Sequence, residues 1–268
     1  MLTKATSREH VGMLSHVFTR SSPTRGMRIA STIGTLARAL AIGAALVGAT
    51  AYGYFFHRNH VFPYRLLNPH GISDPTQSPV FRVRYSMLAT FPARADVVML
   101  GDSLTEVADW RAMLPDVDVA NHGIRGDTTA GLLLRLDLVR QARPRMVAIM
   151  IGVNDIQEGA AVASVFDRYR RVVETLAMPP ACVLAQSTLL TARGAALNAS
   201  IADLDRKLAA FCAAGNCTFL DVNAAIAPRG TLPPEATIDG VHLTAAAYEK
   251  WRSVLRPHLA AGECGSKG

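Results

Sequence analysis

This sequence predicts a doubly wound α/β domain, on the strength of three observations. Five short apolar runs recur between longer amphipathic stretches. The residues directly after most of those runs are polar and rich in Gly. Half of all residues are apolar and only 18% are charged, as a packed globular core requires. The runs are 97–100, 117–120, 146–151, 182–185 and 218–220. Between and around them, 80–91, 105–113, 127–142, 160–177, 193–213 and 244–259 have helical patterning, the first ended by Pro92. Strands separated by helices of that length are joined by crossovers, so they pair in parallel, with helices on both faces of one sheet. In such sheets ligands sit beyond the carboxyl ends of the strands.

Composition and charge remove other classes. With 268 residues the chain can bury one large core. Gly and Pro are too few for collagen-like or low-complexity structure, and no repeat of twenty to fifty residues is present. The net charge of +7 invites a nucleic-acid reading, but its distribution does not support one. Residues 1–38 carry Lys4, Arg8, Arg20, Arg25, Arg28 and Arg38 against Glu9 alone, which leaves only +2 for the rest. A near-neutral domain has no footprint for a phosphate backbone, so no nucleic-acid partner is expected.

The amino-terminal organisation reads as an envelope address. Residues 1–38 form a basic cytoplasmic segment, succeeded by 39–56, ALAIGAALVGATAYGYFF, without a charge. As a helix this stretch is about 27 Å long, against roughly 30 Å of hydrocarbon, and Arg38 and Arg58 flank it. The basic excess before the span predicts a transmembrane signal anchor with its amino terminus in the cytoplasm. A cleaved signal peptide is the alternative, because Ala49-Thr50-Ala51 is an A-x-A site. Either reading places the chain from residue 57 onward in the periplasm or outside the cell. Residues 57–94 read as a stalk and leading helix, 95–260 as the catalytic domain and 261–268 as a tail.

Cys182, Cys212, Cys217 and Cys264 form no C-x-x-C pair. Cys212 and Cys217 flank a turn-like Ala-Ala-Gly-Asn, so in an oxidising compartment they could form a disulfide. The alternative is that Cys182 and Cys212 are small packing residues.

Four strand ends carry the chemistry. Gly101-Asp102-Ser103-Leu104 places a hydroxyl and a backbone N–H at a strand-to-helix turn. Asn121-His122-Gly123-Ile124-Arg125-Gly126-Asp127 contains a Gly that lets backbone approach a substrate closely. Gly152-Val153-Asn154-Asp155 contributes a side-chain amide, and Asp239-Gly240-Val241-His242 precedes the last helix. A Ser nucleophile needs an imidazole base held by a carboxylate, which makes Ser103, His242 and Asp239 a candidate triad. The N–H groups of Ser103 and Gly126 and the Asn154 amide are candidate oxyanion donors. Asp102, Asp127 and Asp155 are expected to hold loops rather than a metal, His122 to face solvent, and Trp110 and Trp251 to lie in the core. Position 105 is Thr, so the G-x-S-x-G elbow is absent.

Ser103, Gly126, Asn154 and His242, in that order, resemble the SGNH or GDSL hydrolase family over about residues 96–259. NHGIRGDTTAGLLLRL and RPRMVAIMIGVND are similar to its branch of platelet-activating-factor acetylhydrolase subunits and bacterial lysophospholipase-thioesterases. The resemblance implies a flavodoxin-like three-layer fold with a five-stranded parallel sheet. It further implies Ser103 as nucleophile, Asp239 and His242 as its partners, and Gly126 with Asn154 in the oxyanion hole. The expected activity is hydrolysis of small acyl esters, of acylated sugars or lipids, through an acyl-enzyme, without cofactor or metal. An O-acyltransferase for envelope polysaccharide would use the same residues in a drier pocket, and a non-catalytic envelope-binding protein is the third reading.

Overall fold

The computed structural model describes residues 38–54, 74–177 and 181–260. The chain divides into two compact units, 1–58 and 59–268. In the first, residues 38–54 form helix α1, exposed along its length. Phe55 and Phe56, the end of the apolar span, lie outside the described residues, as do the basic segment up to residue 37 and the stalk from 57 to 73. Among the described residues no helix is long and apolar enough to cross a membrane.

The second unit is built on five parallel strands, β1 (Val97–Gly101), β2 (Val119–Gly123), β3 (Met146–Met150), β4 (Cys182–Gln186) and β5 (Thr218–Leu220), in the order β2-β1-β3-β4-β5. β1 and β3 are buried at every residue because helices cover both faces, which is why they read as unbroken apolar runs. Alternate residues point to opposite layers. Val98, Leu100, Val147 and Ile149 meet helices α8 (Val162–Leu176) and α9 (Ala195–Phe211) through Tyr169, Val172, Ile201 and Leu204. Val97, Met99, Met146 and Ala148 meet the other layer, where Trp110 and Trp251 pack edge to face at 5.1 Å. Trp251 belongs to α11 (Ala245–Ala260).

Helix α2 (Pro79–Thr90) begins with a Ser78 cap and Pro79 in the first turn, and buries Phe81. Its Arg84 donates to the carbonyls of Asn121 at 2.8 Å and Gly123 at 3.3 Å. That arrangement covers β2, whose outer edge has no neighbouring strand. β2 also begins two residues later than its apolar pattern predicts and takes in Asn121, His122 and Gly123. Polar residues are accommodated there because Asn121 Nδ2 donates to the carbonyls of Thr105, Glu106 and Ala108.

The predicted helix 105–113 is two short helices, α3 (Ser103–Val107) and α4 (Trp110–Met113), and 127–142 is α5 (Thr129–Leu133) and α6 (Leu136–Gln141). Asp109 caps the new start at α4 and Thr128 caps α5, whereas α6 starts without a side-chain cap. Two further short helices are α7 (Val153–Gln157) and α10 (Asn223–Ile226). Cys212 and Cys217 are joined in a disulfide across the turn after α9, and Cys182 is also disulfide-bonded. None of the three is a free packing thiol.

Candidate active site

The site gathers at the carboxyl ends of β1, β2 and β3, at the point where strand order reverses. β1 ends at Gly101, where a Cβ would collide with the Met150 carbonyl oxygen and the Thr105 hydroxyl. Asp102 then leaves the strand and caps α3, its carboxylate accepting from Leu104 N–H at 3.0 Å. Ser103 is thereby held at the first helical position, buried to 7% exposure, where its own N–H has no intrahelical acceptor. Tyr248 of α11 donates to the Leu104 carbonyl at 2.7 Å and fixes the helix from the other side.

The Asp239–His242 loop is closed on itself. Ile238 N–H and the Thr237 hydroxyl both donate to the His242 carbonyl, and the Thr237 hydroxyl also accepts from Gly240 N–H. Gly240, at φ +90°, gives its carbonyl to Ala192 N–H and so ties the loop to the segment beyond β4. His242 Nδ1 lies 2.7 Å from Asp239 Oδ2, and Nε2 lies 2.9 Å from Ser103 Oγ. With its proton on Nδ1, the ring donates to the carboxylate and accepts from the Ser103 hydroxyl. Partial burial pushes the Asp239 carboxyl up, but this is outweighed by hydrogen bonds from the His242 N–H, the His242 ring and the Val241 N–H, and by the imidazolium charge. The net result lies far below the carboxylate range. Asp239 is therefore an anion whenever the site works.

Gly126 occupies a turn closed by Asp127 N–H donating to the Ile124 carbonyl. Its φ is +73°, a conformation Gly adopts freely, and open space lies where a Cβ would stand. Asn154 Nδ2 donates to the Asp127 carbonyl at 2.8 Å, which brings this amide beside the Gly126 turn and leaves its second hydrogen to donate elsewhere. The structure thus joins Ser103, His242 and Asp239 in one hydrogen-bonded chain and joins Asn154 to the Gly126 turn.

Beneath these groups lies a buried charged layer. Asp155 accepts from the N–H and hydroxyl of Thr129 and pairs with Arg168 at 3.1 Å. Asp127 pairs with Arg135 at 2.7 Å, both side chains being fully buried. Burial pushes the Asp127 carboxyl up, and the guanidinium charge and its hydrogen bond pull it back. Arg135 also donates to the carbonyls of His122 at 2.7 Å and Gly101 at 3.0 Å, so one side chain ties together the ends of β1 and β2. Sequence reasoning passed over Arg135; its signal is a lone cation inside the otherwise apolar stretch Leu132–Leu136. His122, expected at the surface, is buried, and desolvation with the charges of Arg135 and Arg84 pushes its ring down to about 3. Arg84 of α2 and Arg135 lie beside it.

A Ser-His-Asp chain at the switch point of a doubly wound parallel sheet is the arrangement that serine-dependent acyl transfer requires. Residues 99–250 match the GDSL-like Lipase/Acylhydrolase family, and the chain belongs to that family. It is 26% identical over 185 residues to an N-acylneuraminate cytidylyltransferase of Streptococcus agalactiae, a match that covers 69% of this chain but 43% of that protein. The chain thus spans less than half the length of these first curated relatives. It is also 29% identical over 171 residues to the platelet-activating factor acetylhydrolase IB subunit alpha2 of Gallus gallus, covering 58% of this chain and 72% of that one. Among solved structures, a GDSL-like lipase from Bacteroides thetaiotaomicron superposes with a TM-score of 0.59 at 22% identity, over 68% of this chain and 98% of that chain, which shows the shared fold.

Proposed function

We propose that this protein is a serine esterase that cleaves small acyl esters through an acyl-enzyme on Ser103. The observation that carries this reading is the unbroken chain Asp239–His242–Ser103. In the reaction, His242 Nε2 takes the Ser103 proton as Oγ attacks the ester carbonyl. The N–H groups of Ser103 and Gly126 and the second hydrogen of the Asn154 amide receive the oxyanion. The alcohol leaves with the proton held on His242, and a water activated by the same nitrogen releases the acid. Asp239 keeps the ring in the required tautomer and stabilises its charged form.

The acyl group is small in this reading, in keeping with family membership and the acetylhydrolase among the relatives. Acylated sugars or lipids supply the alcohol. Mixing the full chain with p-nitrophenyl acetate tests the mechanism. The expected result is a burst of p-nitrophenol, then steady turnover; release no faster than from Ser103→Ala would overturn it. If release instead required added oligosaccharide and yielded acetylated sugar, the site would be an acyltransferase.

The same proposal locates the enzyme outside the inner membrane, tethered by residues 39–56. Its support is the eighteen uncharged residues behind a basic segment. Carbonate-washed membranes are expected to retain the full-length chain. Recovery of a shortened chain in the soluble fraction would favour cleavage, and full-length chain there would refute export.

A further inference from the structure

A cavity of about 340 Å³ lies away from the triad, walled by α2, by α4 and by the free edge of β2. None of Ser103, Gly126, Asn154, Asp239 or His242 lines it. Its volume falls at the lower end of the range for small-molecule sites. Met87, Leu88, Phe91 and Trp110 supply apolar walls, and at the rim Met87 and Phe91 are 49% and 68% exposed. Large apolar side chains left open at the mouth of a cavity are surface that a ligand's hydrocarbon would cover.

The polar lining is cationic in balance. Arg84 and Arg111 face a single carboxylate, Asp109, which is already engaged as the α4 cap. The Arg84 guanidinium is committed to two β2 carbonyls. Arg111 makes only a long contact of 3.4 Å from Nε to the Val119 carbonyl, which leaves the rest of its donor fork for a ligand. His122 lines the same cavity and is 5% exposed, and its Nδ1 finds no hydrogen-bond partner among the described residues. A buried polar atom without a partner is costly to the fold, and a ligand that reached it from the cavity would complete its bonding.

We propose that this cavity is a second ligand site, for a short-chain carboxylate whose alkyl tail packs on Met87, Leu88 and Phe91 and whose head group bonds Arg111 and His122. Apolar walls alone would admit a hydrocarbon or an alcohol equally well; the uncommitted guanidinium selects the anion. A carboxylate is also the acid that ester hydrolysis releases, so the site would sense product. That meaning rests on the esterase reading, whereas binding itself does not. A route from the site to the oxyanion groups exists in the hydrogen bonds from Arg135 to the His122 carbonyl and to Asp127, whose own carbonyl holds Asn154.

Calorimetric titration of the full chain carrying Ser103→Ala with sodium hexanoate, and in parallel with hexan-1-ol, separates binding from catalysis. The expected result is saturable binding of one hexanoate, with hexanol at least ~10-fold weaker. Ala93→Trp fills the cavity from its exposed rim, and Arg111→Gln removes the exposed cation; each is expected to weaken hexanoate at least ~10-fold. Absence of saturation, equal binding of the alcohol, or binding unchanged in Ala93→Trp with its melting temperature preserved would overturn the proposal. If hexanoate binds but p-nitrophenyl acetate is not turned over by the native chain, the site stands and the esterase reading falls.

Discussion

Asp239, in the loop before α11, and three aspartates that follow the strand ends are held in opposite environments. Asp239 is 43% exposed, and its carboxyl is driven far down by donors from its own loop. Asp102, Asp127 and Asp155 lie deeper: each is at most 1% exposed, and burial pushes each carboxyl up. An anion at the surface loop can stabilise a transient imidazolium because solvent and local N–H groups keep it charged at no cost to the core. Buried carboxylates instead commit their bonding capacity to the frame: Asp102 caps α3, Asp127 holds the Thr128 N–H and Arg135, and Asp155 holds the start of α5 and Arg168. In the proposed reaction the same residue type thus serves catalysis at Asp239 and architecture at the buried positions, according to its access to water.

The comparison predicts that variants in the two sets fail in different ways. The largest effect is expected at the exposed set's partner: Ser103→Ala lowers kcat for p-nitrophenyl acetate by roughly 10⁴-fold or more, with unfolding free energy within about 1 kcal/mol of native. A parallel collapse of stability in urea would erase the distinction. In the buried layer Arg135→Met leaves Asp127 without its cation, and urea titration is expected to show a loss of about 3–5 kcal/mol. A loss under about 1 kcal/mol would mean the ion pair does not organise the two strand ends.

His122 sharpens the comparison through pH. Its ring is held neutral down to about 3 in the fold, while the unfolded ring takes up a proton below about 6.5. Its contribution is therefore complete above the unfolded value and lost as pH falls, by about 2 kcal/mol at pH 5. His122→Asn is expected to flatten that acid limb. Asp102 runs the other way. Burial raises its carboxyl to about 7, so the stability it supplies is full below the ordinary carboxylate value and erodes as pH rises towards 7. Asp102→Asn should remove that decline; an unchanged slope from about pH 4 to 7 would contradict the buried assignment. The smallest effect is expected at Gly126→Ala, about 1 kcal/mol from its left-handed φ, with a lowered kcat as the donor turn shifts.

Much of this was legible in the sequence, for identifiable reasons. β1 and β3 are read directly because burial on both faces demands unbroken apolar runs; Ser103, Gly126 and Asn154 stand out because each follows a strand end, and His242 because it stands three residues after Asp239 ahead of the last helix. The two ends of the chemistry, Ser103 and His242, are 139 residues apart, and only the parallel topology explains why they meet. Less legible was β2, whose last three residues are not apolar. The bonds that make Asn121 acceptable in a strand reach back across the crossover to the α3 backbone, and local patterning cannot show them. His122 was misplaced at the surface for the same reason: nothing local shows that Arg84 and Arg135 lie beside it. The split of the first predicted helix depends on the Asp109 cap, whereas the second breaks before Leu136 with no side-chain cap at Arg135, details that periodicity smooths over.

The measurement that tests the central claim most directly is intact-mass spectrometry of the full chain after exposure to a fluorophosphonate, beside Ser103→Ala and His242→Ala. An activated serine in an assembled triad predicts one adduct on the native chain, none on Ser103→Ala and slow labelling on His242→Ala. A folded native chain that takes no adduct, or labels equally in Ser103→Ala, would contradict the assignment of Ser103 as nucleophile.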